Sequence, residues 1–416
     1  MMLNPHRWNR TVGLLVVMAL VLVACGQTAP GAPAPAAGAT AAPAAGAPIK
    51  IGALFDLTGA TAEVGKPYSQ GEIAFVDWKN AQGGIQGRPI QLIGNDYKYE
   101  VPQAEQLYQQ YVTQDQVVAV AGWGTGDTEA LKGRITQDKI PFLSASYSAE
   151  LGDPSKTPYN FLVGTTYSDQ LIIAQKWALE DWKKKGNTGA PKFAYLINDS
   201  PFGKSPVEDG KRHAQQNGVA EPLVVPSPRG ATDLTPQLTQ IKDFGANYVF
   251  IQNTSAPAAL ALKNAASLGL TPGMQFVCMN WCADELLIKL AGNAAEGAVG
   301  AIPFAPPASG AEGAKQALDY ARSKNIDIGG SEIHFVQGWW TMAVLVEGIE
   351  RTVKAGKEPT GENIKAALES IKDFATGGVT QPITFTPSDH RGSKSLKLYQ
   401  VKGGKWEPIT DFMTAE

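Results

Sequence analysis

Apolar positions along the chain fall into short runs separated by longer segments of helical period. The runs at 49–55, 90–94, 117–121, 140–143 and 161–164 are rich in β-branched residues and bounded by glycine or polar residues. That is the pattern of strands buried on both faces. Between them, 68–82, 102–114 and the segment after Thr128 repeat apolar residues every three or four positions and predict helices. A second series follows: helix 168–185, strand 193–198, helix 204–217, strand 222–225, helix 234–244, strand 248–252, helix 256–268 and strand 275–279. Regular alternation of strand and helix predicts an α/β fold with two doubly wound, largely parallel lobes. Beyond a strand at 297–302 the pattern changes. Helices are expected at 311–323, 333–352 and 360–371, then strands at 383–386 and 396–401, the second turning at Gly403-Gly404 into Trp406. Such a tail fits a chain that crosses back to the first lobe and finally returns to the second.

The first 48 residues belong to neither series. His6, Arg7 and Arg10 precede an apolar run at 13–24 that ends in Leu22-Val23-Ala24-Cys25. This predicts a lipoprotein signal peptide over 1–24, with Cys25 as the lipidated mature N-terminus; the alternative is an unlipidated secreted protein cleaved nearby. Residues 25–48 are almost wholly Ala, Pro, Gly, Thr and Gln, which cannot bury a core and predict a tether. The expected location is outside the cytoplasmic membrane, anchored by lipid.

Composition narrows the function mainly by exclusion. Loss of 1–24 removes two of the 36 basic residues, leaving 34 against 39 acidic ones, so nothing suggests nucleic acid. There is no G-x-S-x-G elbow and no H-E-x-x-H, and an enzyme is not expected. Gly122-Trp123-Gly124-Thr125-Gly126-Asp127 is not a dinucleotide fingerprint, and Pro67 stands where a P-loop needs Ser or Thr, so no nucleotide cofactor is expected. Cys278 and Cys282 have no neighbouring histidine, which argues against a metal site. A disulfide and a pair of buried thiols are both compatible with their spacing.

The chemistry concentrates between 117 and 151. A strand runs into Gly122, Gly124 and Gly126, and Thr125, Asp127 or Thr128 can cap the helix that follows. Free N–H groups at that helix start, with the positive end of its dipole behind them, can receive a carboxylate without a basic side chain. Gly126 is expected to matter most if the turn needs positive φ there. The next strand brings Ser144, Ser146, Tyr147 and Ser148 to the same end of the sheet, where ligands of parallel sheets bind.

Several segments together resemble the type I periplasmic binding proteins, specifically the branched-chain amino-acid-binding group that serves ABC importers. They are Ile51-Gly52 to Leu57-Thr58-Gly59 with Gly65, Asn80-Ala81-Gln82-Gly83-Gly84-Ile85 with Gly87, the Gly122 to Thr128 turn, Ile140-Pro141 to Ser148, Asp199-Ser200-Pro201-Phe202-Gly203-Lys204-Ser205, Gly245-Ala246 and Glu296-Gly297. The resemblance implies two lobes joined by three crossovers near Thr165, Ile302 and Thr384. The first lobe would comprise 49–165 and 302–383, the second 166–301 and 384–416. It implies a monomer that closes on a small ligand and delivers it to an ABC permease, with a ligand sensor of the same fold as the alternative. By position, Thr125, Gly126, Ser146, Tyr147 and Ser148 of the first lobe would hold the ligand, with Phe202, Thr254, Asn280, Trp281 and, from the late helix, Phe335. Three positions depart from leucine-type binders: Asn280 replaces the acid for the ligand ammonium, Thr254 an aromatic and Val64 a tyrosine. A buried ammonium without a carboxylate is poorly compensated. An amide, or a carboxylate whose apolar or aromatic body lies between Tyr147, Phe202 and Trp281, is therefore expected instead of a free amino acid.

Overall fold

A computed structural model describes residues 46–416; the expected signal peptide, Cys25 and most of the tether lie outside the described residues. Five parallel strands form the first sheet: β1 (Ile49–Phe55), β2 (Ile90–Asp96), β3 (Ala119–Gly122), β4 (Phe142–Ser144) and β5 (Asn160–Phe161), in the order β2-β1-β3-β4-β5. Helices α1 (Ala62–Ala81), α2 (Val101–Gln110) and α3 (Thr125–Asp138) connect them. In the second sheet β6 (Phe193–Asn198), β7 (Leu223–Ser227), β8 (Tyr248–Gln252), β9 (Gln275–Cys278) and β10 (Val299–Ile302) are parallel. Its helices are α4 (Tyr167–Lys184), α5 (Pro201–Lys204), α6 (Val207–Gln216), α7 (Thr235–Phe244), α8 (Ser255–Ser267) and α9 (Glu285–Ala291). The chain then supplies α10 (Glu312–Ser323), α11 (Glu332–Lys354) and α12 (Gly361–Glu369), and α11 packs on α1 of the first lobe. It ends in β11 (Ser395–Lys402), antiparallel to β10, with β12 (Lys405–Pro408) and β13 (Met413–Thr414) paired to β11.

Two expected elements differ. The helix expected at 204–217 begins only at Val207, as α6, and is separated from the short α5 before it by Pro206, which has no N–H to donate and whose ring would crowd the carbonyl of Phe202. That carbonyl instead accepts from Gln252 Nε2 at 3.3 Å. The strand expected at 383–386 forms only single bridges, Phe374 with Ile383 and Thr386 with Asp389. Ile383 and Phe385 are buried at alternate positions, as in a strand, but Pro382 and Pro387 flank them and cannot donate to a ladder.

The α1–α11 contact is a backbone contact made by two reciprocal glycines. A Cβ on Gly71 would lie 2.0 Å from the carbonyl oxygen of Phe335, and one on Gly338 2.0 Å from that of Tyr68. Around this crossing Trp339 is fully buried against Phe75 and Trp78, with ring centroids 5.4 and 5.5 Å away. Where the chain passes between the lobes its segments bind one another. Leu162 N–H donates to the His390 carbonyl at 3.0 Å, Gly392 N–H to the Leu162 carbonyl at 2.7 Å, and Thr165 Oγ1 to the Ser395 carbonyl at 2.8 Å. Ala305 N–H donates to the Val379 carbonyl at 2.6 Å.

Cys278 and Cys282 are free thiols, both buried. Cys282 lies in the 3-10 turn Asn280–Cys282 that follows β9, where its Sγ donates to the Ile251 and Met279 carbonyls at 3.4 Å. Of the two arrangements open from the sequence, the structure adopts the thiols.

Candidate functional site

Strand β3 ends at Gly122 and the chain turns through Trp123 and Gly124 into α3. Gly124 is the N-cap, and its lack of a side chain is required: a Cβ would lie 2.2 Å from Asp127 Oδ1 and 2.5 Å from Tyr99 Cε2. Asp127 closes the turn by accepting the Gly124 N–H at 3.2 Å and the Tyr97 hydroxyl at 3.0 Å. Burial pushes the Asp127 carboxyl up to about 7, against the hydrogen bonds from Tyr97 and the turn that favour its ionised form. Thr125 and Gly126 occupy the first helical positions, whose N–H groups have no intrahelical acceptor. Thr125 Oγ1 is 2.7 Å from Ser146 Oγ, so the two loops meet as the sequence suggests. Gly126 is ordinary helix: its φ is not positive, and an added Cβ would make normal contact with Pro201 at 3.5 Å.

Beside this turn lies a small chamber between the lobes. From the first lobe Thr61, Val64, Tyr99, Trp123, Gly124, Thr125 and Ala145 line it; from the second, Tyr167, Phe202, Thr254 and Trp281. Trp281 reaches across from the second lobe to the aromatic side chains of the first. Its Nε1 donates to the Tyr167 hydroxyl at 2.9 Å, and its ring lies parallel to Tyr147, 6.1 Å away at 8°, and edge-on to Trp123 at 4.9 Å. Trp123 is in turn held by its Nε1 donating to Thr61 Oγ1 at 2.9 Å, and Asp56 accepts both the hydroxyl and the N–H of Thr61. No charged side chain lines the chamber. It offers hydrogen-bond donors at the helix start and aromatic walls elsewhere, a setting suited to an acceptor group on an apolar body.

Thr125, Phe202, Thr254 and Trp281 thus face the chamber, whereas the other expected residues stand behind or beside it. Ser146 holds Thr125. Ser148 Oγ points to Glu129 Oε1 at 3.5 Å, away from the chamber, because Ser148 leads into the short 3-10 turn Ala149–Gly152. Tyr147 is a backing wall whose hydroxyl accepts from Gln337 Nε2 at 2.6 Å. Asn280 is buried; its N–H donates to Gln170 Oε1 at 3.2 Å and its Nδ2 has no acceptor. Phe335 is not a chamber residue: it is fully buried at the α1–α11 crossing, with its carbonyl against Gly71. Tyr99, Trp123, Tyr167 and Thr61 were not singled out from the sequence. A tryptophan set between two turn glycines was the available signal for Trp123; nothing local marks Tyr99 or Tyr167.

Among the described residues no helix is long and apolar enough to cross a membrane, and no three His, Cys, Asp or Glu side chains gather as metal ligands.

Residues 48–405 match a family model described as periplasmic binding protein. The chain is 22% identical over 320 residues to a leucine-, isoleucine-, valine-, threonine- and alanine-binding protein of Pseudomonas aeruginosa, covering 76% of this chain and 82% of that one. Its fold superposes with a TM-score of 0.82 on a branched-chain amino acid ABC transporter protein from Thermus thermophilus with bound valine, at 27% identity, over 88% of this chain and 96% of that one. A fatty acid ABC transporter substrate-binding protein from Thermomonospora curvata shares the fold at a TM-score of 0.75 and 23% identity, covering 88% and 92%.

Proposed function

Since the chain belongs to the periplasmic binding protein family, whose members bind solutes and are not enzymes, we propose that it is the lipid-anchored solute receptor of an ABC importer. It captures a small organic ligand between its lobes by closing about the three crossing segments, and acts as a monomer. The observation that carries this reading is the pairing of a donor-bearing α3 start in one lobe with Trp281 of the other, across a chamber without charged walls. The relatives' names point to amino acids. The polar groups here favour an acceptor: Thr125 and the α3 N–H groups can donate to a carboxylate or amide. No acid lines the chamber to receive an ammonium group. The ligand is therefore a carboxylate or amide with an apolar or aromatic body.

A thermal-shift screen of amino acids, amides and carboxylates, followed by small-angle scattering with the best ligand, tests the reading. Binding with a smaller radius of gyration is expected. An unchanged radius at saturation would remove the closure mechanism. Cys25→Ser is expected to release the protein from the membrane with an unaltered melting temperature, and retention would remove the lipid anchor.

A further inference from the structure

The inner chamber has about 20 Å³ of room, enough for one water-sized group, and it adjoins a much larger interlobe cavity of about 330 Å³. The two share Thr61, Tyr99 and Thr254. A ligand whose end reaches α3 must therefore place most of its body in the outer cavity.

The outer walls are donor-rich. Asn253 is 2% exposed, and its Oδ1 already accepts from Asn198 Nδ2 at 3.1 Å and from Thr254 N–H at 3.0 Å. Its amide N–H groups make no hydrogen bond among the described residues, and Asn253 lines the cavity. Arg229, exposed at the rim, forms no ion pair among the described residues. The two acids on these walls are engaged: Glu63 Oε1 accepts the Ala256 N–H at 2.9 Å, and Asp199 pairs with Lys204 at 2.6 Å. Between the cavities stands Tyr99, a bulky residue at φ +59°, a conformation that costs about 1 to 3 kcal/mol and persists only when its surroundings hold it. Gly124 makes room for its ring.

We propose that the outer cavity is a distal subsite and that the ligand is a medium-chain α,ω-dicarboxylate. One carboxylate directs a single oxygen into the inner chamber toward the start of α3, the methylene chain runs along Tyr99, and the second carboxylate meets Asn253 and Arg229. This deepens the solute-receptor reading and rests on it.

Calorimetry on the full chain in detergent, with succinate, adipate, suberate, hexanoate, valine and leucine, tests it. Adipate or suberate should bind at least about tenfold more tightly than hexanoate, since a charge-assisted contact is gained. Arg229→Gln should weaken the dicarboxylate about tenfold and leave hexanoate unchanged. Tyr99→Gly should weaken the dicarboxylate, with the φ strain it relieves offsetting part of the packing lost against Tyr97. Hexanoate or leucine binding as tightly as every dicarboxylate, or dicarboxylate affinity unaffected by Arg229→Gln, overturns the distal subsite while leaving solute binding intact. Failure of all six to bind overturns the dicarboxylate class; the broader screen then judges the solute-receptor reading by itself.

Discussion

Asp284 Oδ2 lies 3.3 Å from His334 Nε2, both side chains fully buried, one from the second lobe and one from α11. The spacing is that of an ion pair, but the ring nitrogen is not aligned for a hydrogen bond. Asp284 is held more firmly by others: Oδ2 accepts from Ser255 Oγ at 2.7 Å and Ser331 Oγ at 3.0 Å, while Oδ1 caps α9 by accepting the Leu287 N–H at 2.7 Å. Removing a carboxylate so placed leaves several buried donors unsatisfied. Asp284→Ala is expected to cost about 3 to 5 kcal/mol in urea unfolding, and His334→Ala clearly less.

At the α3 start, Thr125→Ala should weaken ligand binding about ten- to a hundredfold, because a hydrogen bond to a charged group is worth about 1.5 to 3 kcal/mol. Ser148→Ala, by contrast, should leave affinity unchanged, since its hydroxyl points to Glu129. Gly126→Ala should stabilise the chain by about 0.4 to 1 kcal/mol, because the position is regular helix with room for a Cβ. Calorimetry and thermal melts on the three variants check these outcomes together.

Gly71→Ala and Gly338→Ala should each destabilise the chain by about 1 to 3 kcal/mol or more, because the methyl group meets rigid backbone. Denaturant midpoints of the two variants measure this. A loss below 0.5 kcal/mol, the size of an ordinary surface change, would mean that the helices separate without cost.

Asp127 gives stability a pH dependence of defined sign. Its folded value is raised to about 7, so between an ordinary unfolded value near 4 and pH 7 the folded protein keeps a proton that the unfolded chain has lost. This group's contribution is therefore greatest in acid, declines as pH rises through that window and levels off above it. Glu285, also raised to about 7 by burial, acts in the same direction. Asp127→Asn should flatten part of the slope between about pH 4 and 7 in urea titrations. An identical slope would mean that Asp127 is ionised throughout.

The thiols offer a simpler check. Cys278 and Cys282 are inaccessible, and burial raises the Cys282 thiol, so neither should react with an exposed-thiol reagent until the chain unfolds.

The alternating periodicity made the two lobes legible because strands buried on both faces and the helices between them are written in residue type. Strands β6 and β8 match the expected bounds, since polar residues or glycine close each apolar run. The α3 turn was legible for the same reason, as glycines and small polar residues have few other uses beside a buried strand. The depth of each residue in the cleft was not. Thr125 and Ser148 are equally small and polar, yet only the rotation of the Ser146–Ser148 loop decides which of them faces the chamber. Tyr99 was invisible because its role depends on an unusual φ and on the missing side chain of Gly124, a partner distant in sequence.

Trp281 has a kinetic consequence. Its contacts with Tyr147, Trp123 and Tyr68 tie the lobes together through the protein's own side chains. On the proposed closure mechanism these contacts also hold the closed complex shut, so a bound ligand leaves only when the tryptophan withdraws, and Trp281→Ala should raise the dissociation rate more than it changes the association rate.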